Sequence, residues 1–205
     1  MKKTNSIISP ELTSINRCAW SGQDPLYIHY HDTEWGVPVH DDRKLFEFIT
    51  LEGAQAGLSW LTVLKKRENY REAFEQFDVE KIALFSPKKI ASLMQNPGII
   101  RNRLKIESTV RNAQAFLKIV ETFGSFDAYQ WQWVEGRPLQ NKLKSMKDIP
   151  ARSNISGAWS KDLKKRGFNF VGSTILYAHM QATGMVNDHL TSCFRYPQLT
   201  SKIIL

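Results

Sequence analysis

Apolar residues along this chain recur mostly at intervals of three and four, the period of helices with one buried face. Asp41-Asp42 offers an N-cap, and Leu45, Phe46, Phe48, Ile49 and Leu51 follow at helical spacing. Ser59 caps a second segment carrying Leu61, Val63 and Leu64. Residues 71–77 and 79–85 read as short helices. Ser86-Pro87 starts another, since proline suits the first helical position; it carries Ile90 and Leu93 and ends near Asn96-Pro97-Gly98. A long helix spans about 100–122 and stops at Gly124, and a shorter one covers 126–133. Residues 135–155 hold Gly136, Pro138 and Pro150 and read as an irregular connection. Helices resume near 156–166, 172–183 and 187–194. Convincing strand alternation, repeats and low-complexity runs are absent, so the class is all-α with about nine helices.

At 205 residues the chain can form one core, or two small lobes sharing one. Its 42% hydrophobic and 23% charged residues are ordinary for a soluble globular protein, and no apolar run approaches a membrane span. The opening Met1-Lys2-Lys3 is followed by no apolar run of the kind a secretory signal needs, and residues 1–16 read as a flexible extension. With only two cysteines, a reducing cytoplasm is the expected location. The net charge of +8 points to a polyanionic partner, nucleic acid first.

Both cysteines sit in half-motifs suited to zinc. Cys18 precedes His31 by thirteen positions, and His189 precedes Cys193 by four, one helical turn. If all four meet, a closed tetrahedron clips the two ends of the chain and leaves no open position for catalysis. The plainer reading is a pair of buried thiols beside ordinary histidines. His29, His40 and His179 read as surface or core polarity.

Residues 87–108 form a helix–hairpin–helix candidate around Asn96-Pro97-Gly98-Ile99. Gly98 is expected to take φ > 0, and amides opening the second helix could hold a phosphate beside Arg101, Arg103 and Lys105. A plain αα-hairpin is the competing reading. The basic runs Lys65-Lys66-Arg67 and Lys161–Phe168 are each explained by helix C-terminal dipoles, and together add modest support for a phosphate-binding surface. Trp20, Tyr27, Tyr30, Trp35 and Trp60 crowd one region of the chain. Glu52 interrupts an apolar helix face nearby; the general rule favours its exposure, while burial among aromatics would suit a planar cation.

Taken together, these segments resemble the 3-methyladenine DNA glycosylase I family from about Arg17 to Pro197. The most specific stretches are Asp24–Ile28, His31–Pro38, Leu51-Glu52-Gly53 and Gln55–Trp60. Gly98–Arg101, Lys165–Phe168 and Val186–His189 add to the match. Residues before Cys18 depart from the family pattern, in which the first zinc cysteine lies very near the start. The resemblance implies the helix–hairpin–helix DNA glycosylase fold, with one structural zinc held by Cys18, His31, His189 and Cys193. It implies a single catalytic unit over residues 17–197, built of two helical lobes, with a tail at 198–205. Glu52 and Tyr30 would contact the edge of a flipped base, Trp60 would stack on it, and Tyr27 and Trp20 would complete the pocket. Gly57 and Leu58 would approach the gap left in the duplex, while Gly98, Ile99, Arg101 and Lys165 would hold DNA.

The implied activity is hydrolytic excision of 3-methyladenine from alkylated double-stranded DNA, releasing the free base and leaving an abasic site. No lysine is implicated as a Schiff-base nucleophile, so no lyase step is expected, and Glu52 is the expected catalytic group. The expected enzyme is a monomer in a bacterial-type cytoplasm, with no membrane partner. One rival is a helix–hairpin–helix protein that binds lesions without cleaving a bond; it requires an exposed Glu52 and no aromatic cavity. A zinc hydrolase is a second rival and requires an open coordination position.

Overall fold

The computed structural model describes residues 15–201, so residues 1–14 of the expected extension and 202–205 of the expected tail lie outside the described residues. Among the described residues there are eleven α-helices. They are α1 (Pro25–Thr33), α2 (Asp42–Gln55), α3 (Trp60–Leu64), α4 (Arg67–Ala73), α5 (Val79–Ala83) and α6 (Pro87–Leu93). The rest are α7 (Arg103–Phe123), α8 (Phe126–Trp131), α9 (Asn154–Lys165), α10 (Ser173–Ala182) and α11 (Arg195–Ser201). One parallel pairing, β1 (Leu139–Gln140) with β2 (Val186–Asn187), accompanies them. None of the described helices is long and apolar enough to cross a membrane.

Helix α2 organises the core. Every residue from Leu45 to Ala54 is buried, and the helix packs against α3, α7, α8 and α10. A helix enclosed around its circumference leaves no solvent face for a polar residue. Glu52 is therefore buried, against the general expectation of exposure. The Asp41 carboxylate accepts from Lys44 N–H and caps the start of α2. Asp42 accepts from the backbone N–H groups of Phe126 and Asp127, tying α8 to the same end. At the opposite end, Lys105 Nζ donates to Ala54 O at 2.8 Å and Ala56 O at 2.6 Å, where a cation offsets the helix dipole. Lys105 thus serves α2 rather than an exposed phosphate surface, and burial lowers its pKa.

The expected caps at Ser59 and Ser86 are both present. The long helix begins at Arg103, capped by Asn102, and ends at Gly124 with φ +84°. Hydrophobic periodicity does not reveal α1, which Asp24 caps ahead of Pro25 at the first helical position and which carries His29.

Residues 187–194 do not form the expected helix. Asn187, Asp188 and His189 are all buried in succession, and helical geometry would spread such neighbours around its axis. The chain pairs as β2, then turns, with Cys193 N–H donating to Leu190 O. Helix α11 crosses the boundary set at residue 197, and its Leu199 is buried.

Gly98 is not among the positive-φ residues. Its need for glycine comes from close approach instead: a Cβ there would lie 2.9 Å from the Asn69 side chain.

Candidate active site and metal-ligand cluster

Glu52 stands near the C-terminal end of α2 and opens onto a cavity of about 220 Å³. The other walls come from separate elements: Tyr27 and Tyr30 from α1, Trp60 from the start of α3, and Trp20 from the turn after Cys18. All five residues expected to build a pocket therefore meet. Their rings brace one another, with centroid separations of 5.1 Å for Trp20–Tyr27, 5.5 Å for Tyr30–Trp60 and 6.4 Å for Trp20–Tyr30. Such tilted contacts fix ring positions as well as burying area.

Further walls escaped sequence reasoning. Trp35 packs 4.9 Å from Trp20, and Gln55 follows Glu52 by nearly one turn. Ala178 and Gln181 come from α10, and Met146 and Ile149 from the irregular 135–155 segment. Trp35 and Gln55 lie within the specific stretches quoted above. The other four have no local signal, because only folding brings them to the site.

The chemistry of the cavity is unbalanced when empty. Glu52 is 4% exposed, and its carboxyl has no hydrogen bond or ion pair among the described residues. Burial pushes its pKa up to about 8. Burial first, and then the nearby Glu52, push Tyr30 well above the usual phenol range. The indole N–H groups of Trp20 and Trp60 are buried with no acceptor. Buried polar groups are ordinarily satisfied, so these two donors, like the lone acid beside them, are free to serve a bound molecule. Aromatic faces, orphan donors and a lone acid together complement a flat heterocycle with positive charge. The cavity is smaller than the pockets of about 300–1,000 Å³ that take drug-sized ligands, and its size suits one such ring system.

Gly57 turns the chain between α2 and α3 with φ +81°, and Leu58 at that turn is 43% exposed beside a depression that also includes Glu52. Gly98 belongs to a turn braced by Lys66 Nζ, which donates to Pro97 O at 2.9 Å. Ile99 is buried in the core, so only its backbone can serve a surface contact. Arg101 and Lys165 are exposed, at the α6–α7 turn and the end of α9 respectively.

Behind the aromatic wall lies the second constellation. The ligand atoms of Cys18, His31, His189 and Cys193 all lie within 4.8 Å of one another, and all four residues are buried. Cys18 Sγ is 3.6 Å from His189 Nδ1. Cys193 Sγ is 3.5 Å from both His31 Nε2 and His189 Nδ1. Sulfur and nitrogen bonded tetrahedrally at zinc distances would stand about 3.6 Å apart, which matches. The outer contacts also suit a metal. His31 Nδ1 meets Asp32 Oδ1 at 2.7 Å, and His189 Nε2 donates to Trp35 O at 3.0 Å, leaving the inward nitrogens as acceptors. Against the cost of burial, hydrogen bonds from Arg17 and His31 hold the Asp32 pKa below its usual range. The four residues can hold one metal ion, and the expected His-x3-Cys turn of helix is replaced by a non-helical turn that still brings both ligands inward. Of the other histidines, His29 and His40 are exposed, and His179 is buried with Nε2 against Gln130 at 2.8 Å.

Comparison with known proteins gives concordant results. The family model described as methyladenine glycosylase matches residues 20–196. DNA-3-methyladenine glycosylase 1 of Escherichia coli (strain K12) is 51% identical over 183 residues, covering 89% of this chain and 98% of the relative. A crystal structure of 3-methyladenine DNA glycosylase I superposes with a TM-score of 0.87 at 54% identity, over 89% of this chain and 100% of the other. A tyrosine-to-phenylalanine variant of 3-methyladenine DNA glycosylase I, in complex with 3-methyladenine, gives 0.87 at 39% identity, over 89% and 98% of the two chains.

The raised pKa of Glu52 has a measurable consequence. Between about pH 4.5 and 8 the folded protein keeps a proton that the unfolded chain has released, so stability falls as pH rises through that window. Glu52→Gln removes this term. The variant should melt several degrees above wild type near pH 8.5, a gain of a few kcal/mol, and close to wild type near pH 5. Thermal melts of the ligand-free proteins at both pH values test this; equal differences at the two pH values contradict it.

Proposed function

The chain belongs to the methyladenine glycosylase family, and we propose that it excises 3-methyladenine from alkylated DNA by hydrolysing the N-glycosidic bond. The observation that carries this reading is the unpaired, buried Glu52 in an aromatic cavity. A base within a duplex is out of reach, so the damaged nucleotide must swing into the cavity, at a cost of a few kcal/mol. Methylation at N3 gives the base a positive charge, weakens its pairing and makes it a good leaving group. Glu52 then receives a cation, Trp60 stacks on its face, and Tyr30, Tyr27 and Trp20 enclose it. Water adds to the sugar C1′ as the C1′–N9 bond breaks. The bonding pair goes to the base, which leaves neutral, and the proton lost by the water passes to solvent. Leu58, on its glycine turn, enters the gap in the duplex.

The α6–α7 pair acts as a helix–hairpin–helix element, gripping phosphates through the backbone around Gly98 and Ile99, with Arg101 beside it and Lys165 as a further cation. No amine is among the residues lining the cavity, which supports a monofunctional enzyme; we expect it to act as a monomer. The ion in the four-ligand cluster is zinc in a structural role, because a closed set of two thiolates and two imidazoles leaves no position for substrate. That donor set also removes the motive for a zinc-hydrolase reading. A protein that only binds lesions loses its support, since Glu52 is buried beside an aromatic cavity.

Chromatography of bases released from methylated duplex DNA tests the activity. We expect free 3-methyladenine and an intact strand, with breaks appearing only after alkali; breaks without alkali would contradict the monofunctional mechanism. Glu52→Gln should slow single-turnover release by about a hundredfold, as loss of a preorganised charged partner does. An unchanged rate would leave Glu52 a recognition group only. Purified protein should carry one zinc per chain, and Cys193→Ser should lower both zinc content and melting temperature. Full stability with no bound metal would refute the zinc assignment.

A further inference from the structure

Gln181, in the last turn of α10, lines the cavity together with Glu52. Its Nε2 donates to Asp188 Oδ2 at 2.7 Å. Asp188 is fully buried, and its carboxylate also accepts from Tyr177 Oη at 2.8 Å and Asn141 Nδ2 at 2.6 Å. A carboxylate that accepts from three donors dictates the orientation of the glutamine amide, because the reversed amide would set oxygen against oxygen. Oε1 is therefore the amide atom turned away from Asp188, and it has no hydrogen-bond partner among the described residues. The backbone is held as well, with Gly36 N–H donating to Gln181 O at 3.0 Å.

Building on the glycosylase reading above, we propose that Gln181, oriented by Asp188, makes the cavity select a 6-amino purine over a 6-oxo purine. The exocyclic group of adenine is a hydrogen-bond donor, whereas the oxygen at the same position of guanine or hypoxanthine is an acceptor. Oε1 of Gln181 can satisfy the first. Facing the second, it leaves two buried acceptors opposed with no proton between them. The orientation of the Gln181 amide is fixed, since its nitrogen is already committed to Asp188. Gln181 is thus a specificity residue, and Asp188 is a positioning residue that acts through it.

The test uses two free bases, 3-methyladenine and 3-methylhypoxanthine, which carry an amino and an oxo group at C6 respectively (the latter also bears a ring N–H), with binding read from quenching of tryptophan fluorescence. Wild-type protein should prefer 3-methyladenine by about tenfold or more. Gln181→Met, close in shape but lacking the acceptor, should bring that preference down to about twofold. Asp188→Asn, which frees the amide to turn, should shift it in the same direction. The preference is a ratio within one protein, so a partly unfolded variant does not distort it. A wild-type preference retained in Gln181→Met overturns the proposal, even if both affinities fall together. One retained in Asp188→Asn removes Asp188 from it. Wild-type protein that binds neither base and releases no 3-methyladenine from methylated DNA overturns the glycosylase reading instead.

Discussion

A carboxylic acid buried without a partner is the constraint around which this molecule is arranged. Isolated buried charge is costly in a protein interior, and a group so placed keeps its proton or acquires a counterion. Glu52 reaches that position because α2 is enclosed on every side. The same enclosure removes the freedom to rotate the helix and expose the acid. Both ends of α2 are fastened, by Asp41 at the start and Lys105 at the finish, so the helix is held in register while its interior acid stays unpaired. The aromatic rings facing Glu52 offer no hydrogen bond to relieve it. On the function proposed above, a cation of the right shape would relieve it.

The metal-ligand cluster and the aromatic wall are two faces of one structure. Cys18 lies two residues before Trp20, Tyr30 directly precedes His31, and His189 donates to the backbone of Trp35. Asp188, which orients Gln181, is the residue before His189. Each cluster residue named here therefore fixes a neighbour that shapes the cavity. Leu143 packs against Cys18, Leu190 and Cys193, and Thr191 N–H donates to Leu143 O, so the segment bearing Met146 and Ile149 is anchored there too. An ion held by these four residues would set the dimensions of the site without lining the cavity.

Much of this was legible in the chain, for reasons that differ by element. Helices with strong caps and one apolar face, such as those opened by Asp41, Ser59 and Ser86, announce themselves locally. Helix α1 does not, because its aromatic and histidine residues serve the cavity and the metal cluster rather than a continuous stripe; its signal was the Asp24-Pro25 start. The segment from Asn187 to Cys193 misled through spacing: one turn of helix and a non-helical turn can both bring positions four apart together. Lys105 was read as surface charge because nothing local reveals that it reaches the end of α2. Gln181 and Asp188 were silent as a pair, since their roles arise from a contact across the end of α10.

The proton on Glu52 also bears on how such a protein could move along nucleic acid. An ionised acid at the mouth of a groove would push against every phosphate that passed. An acid that burial keeps protonated while the cavity is empty gives off little field, so it does not oppose exposed cations such as Arg101 and Lys165 in holding undamaged duplex. Charge would develop only once a cationic base had entered. On the function proposed above, the searching form would be electrically quiet toward the backbone and the capturing form anionic toward the lesion, with one titratable side chain separating the two.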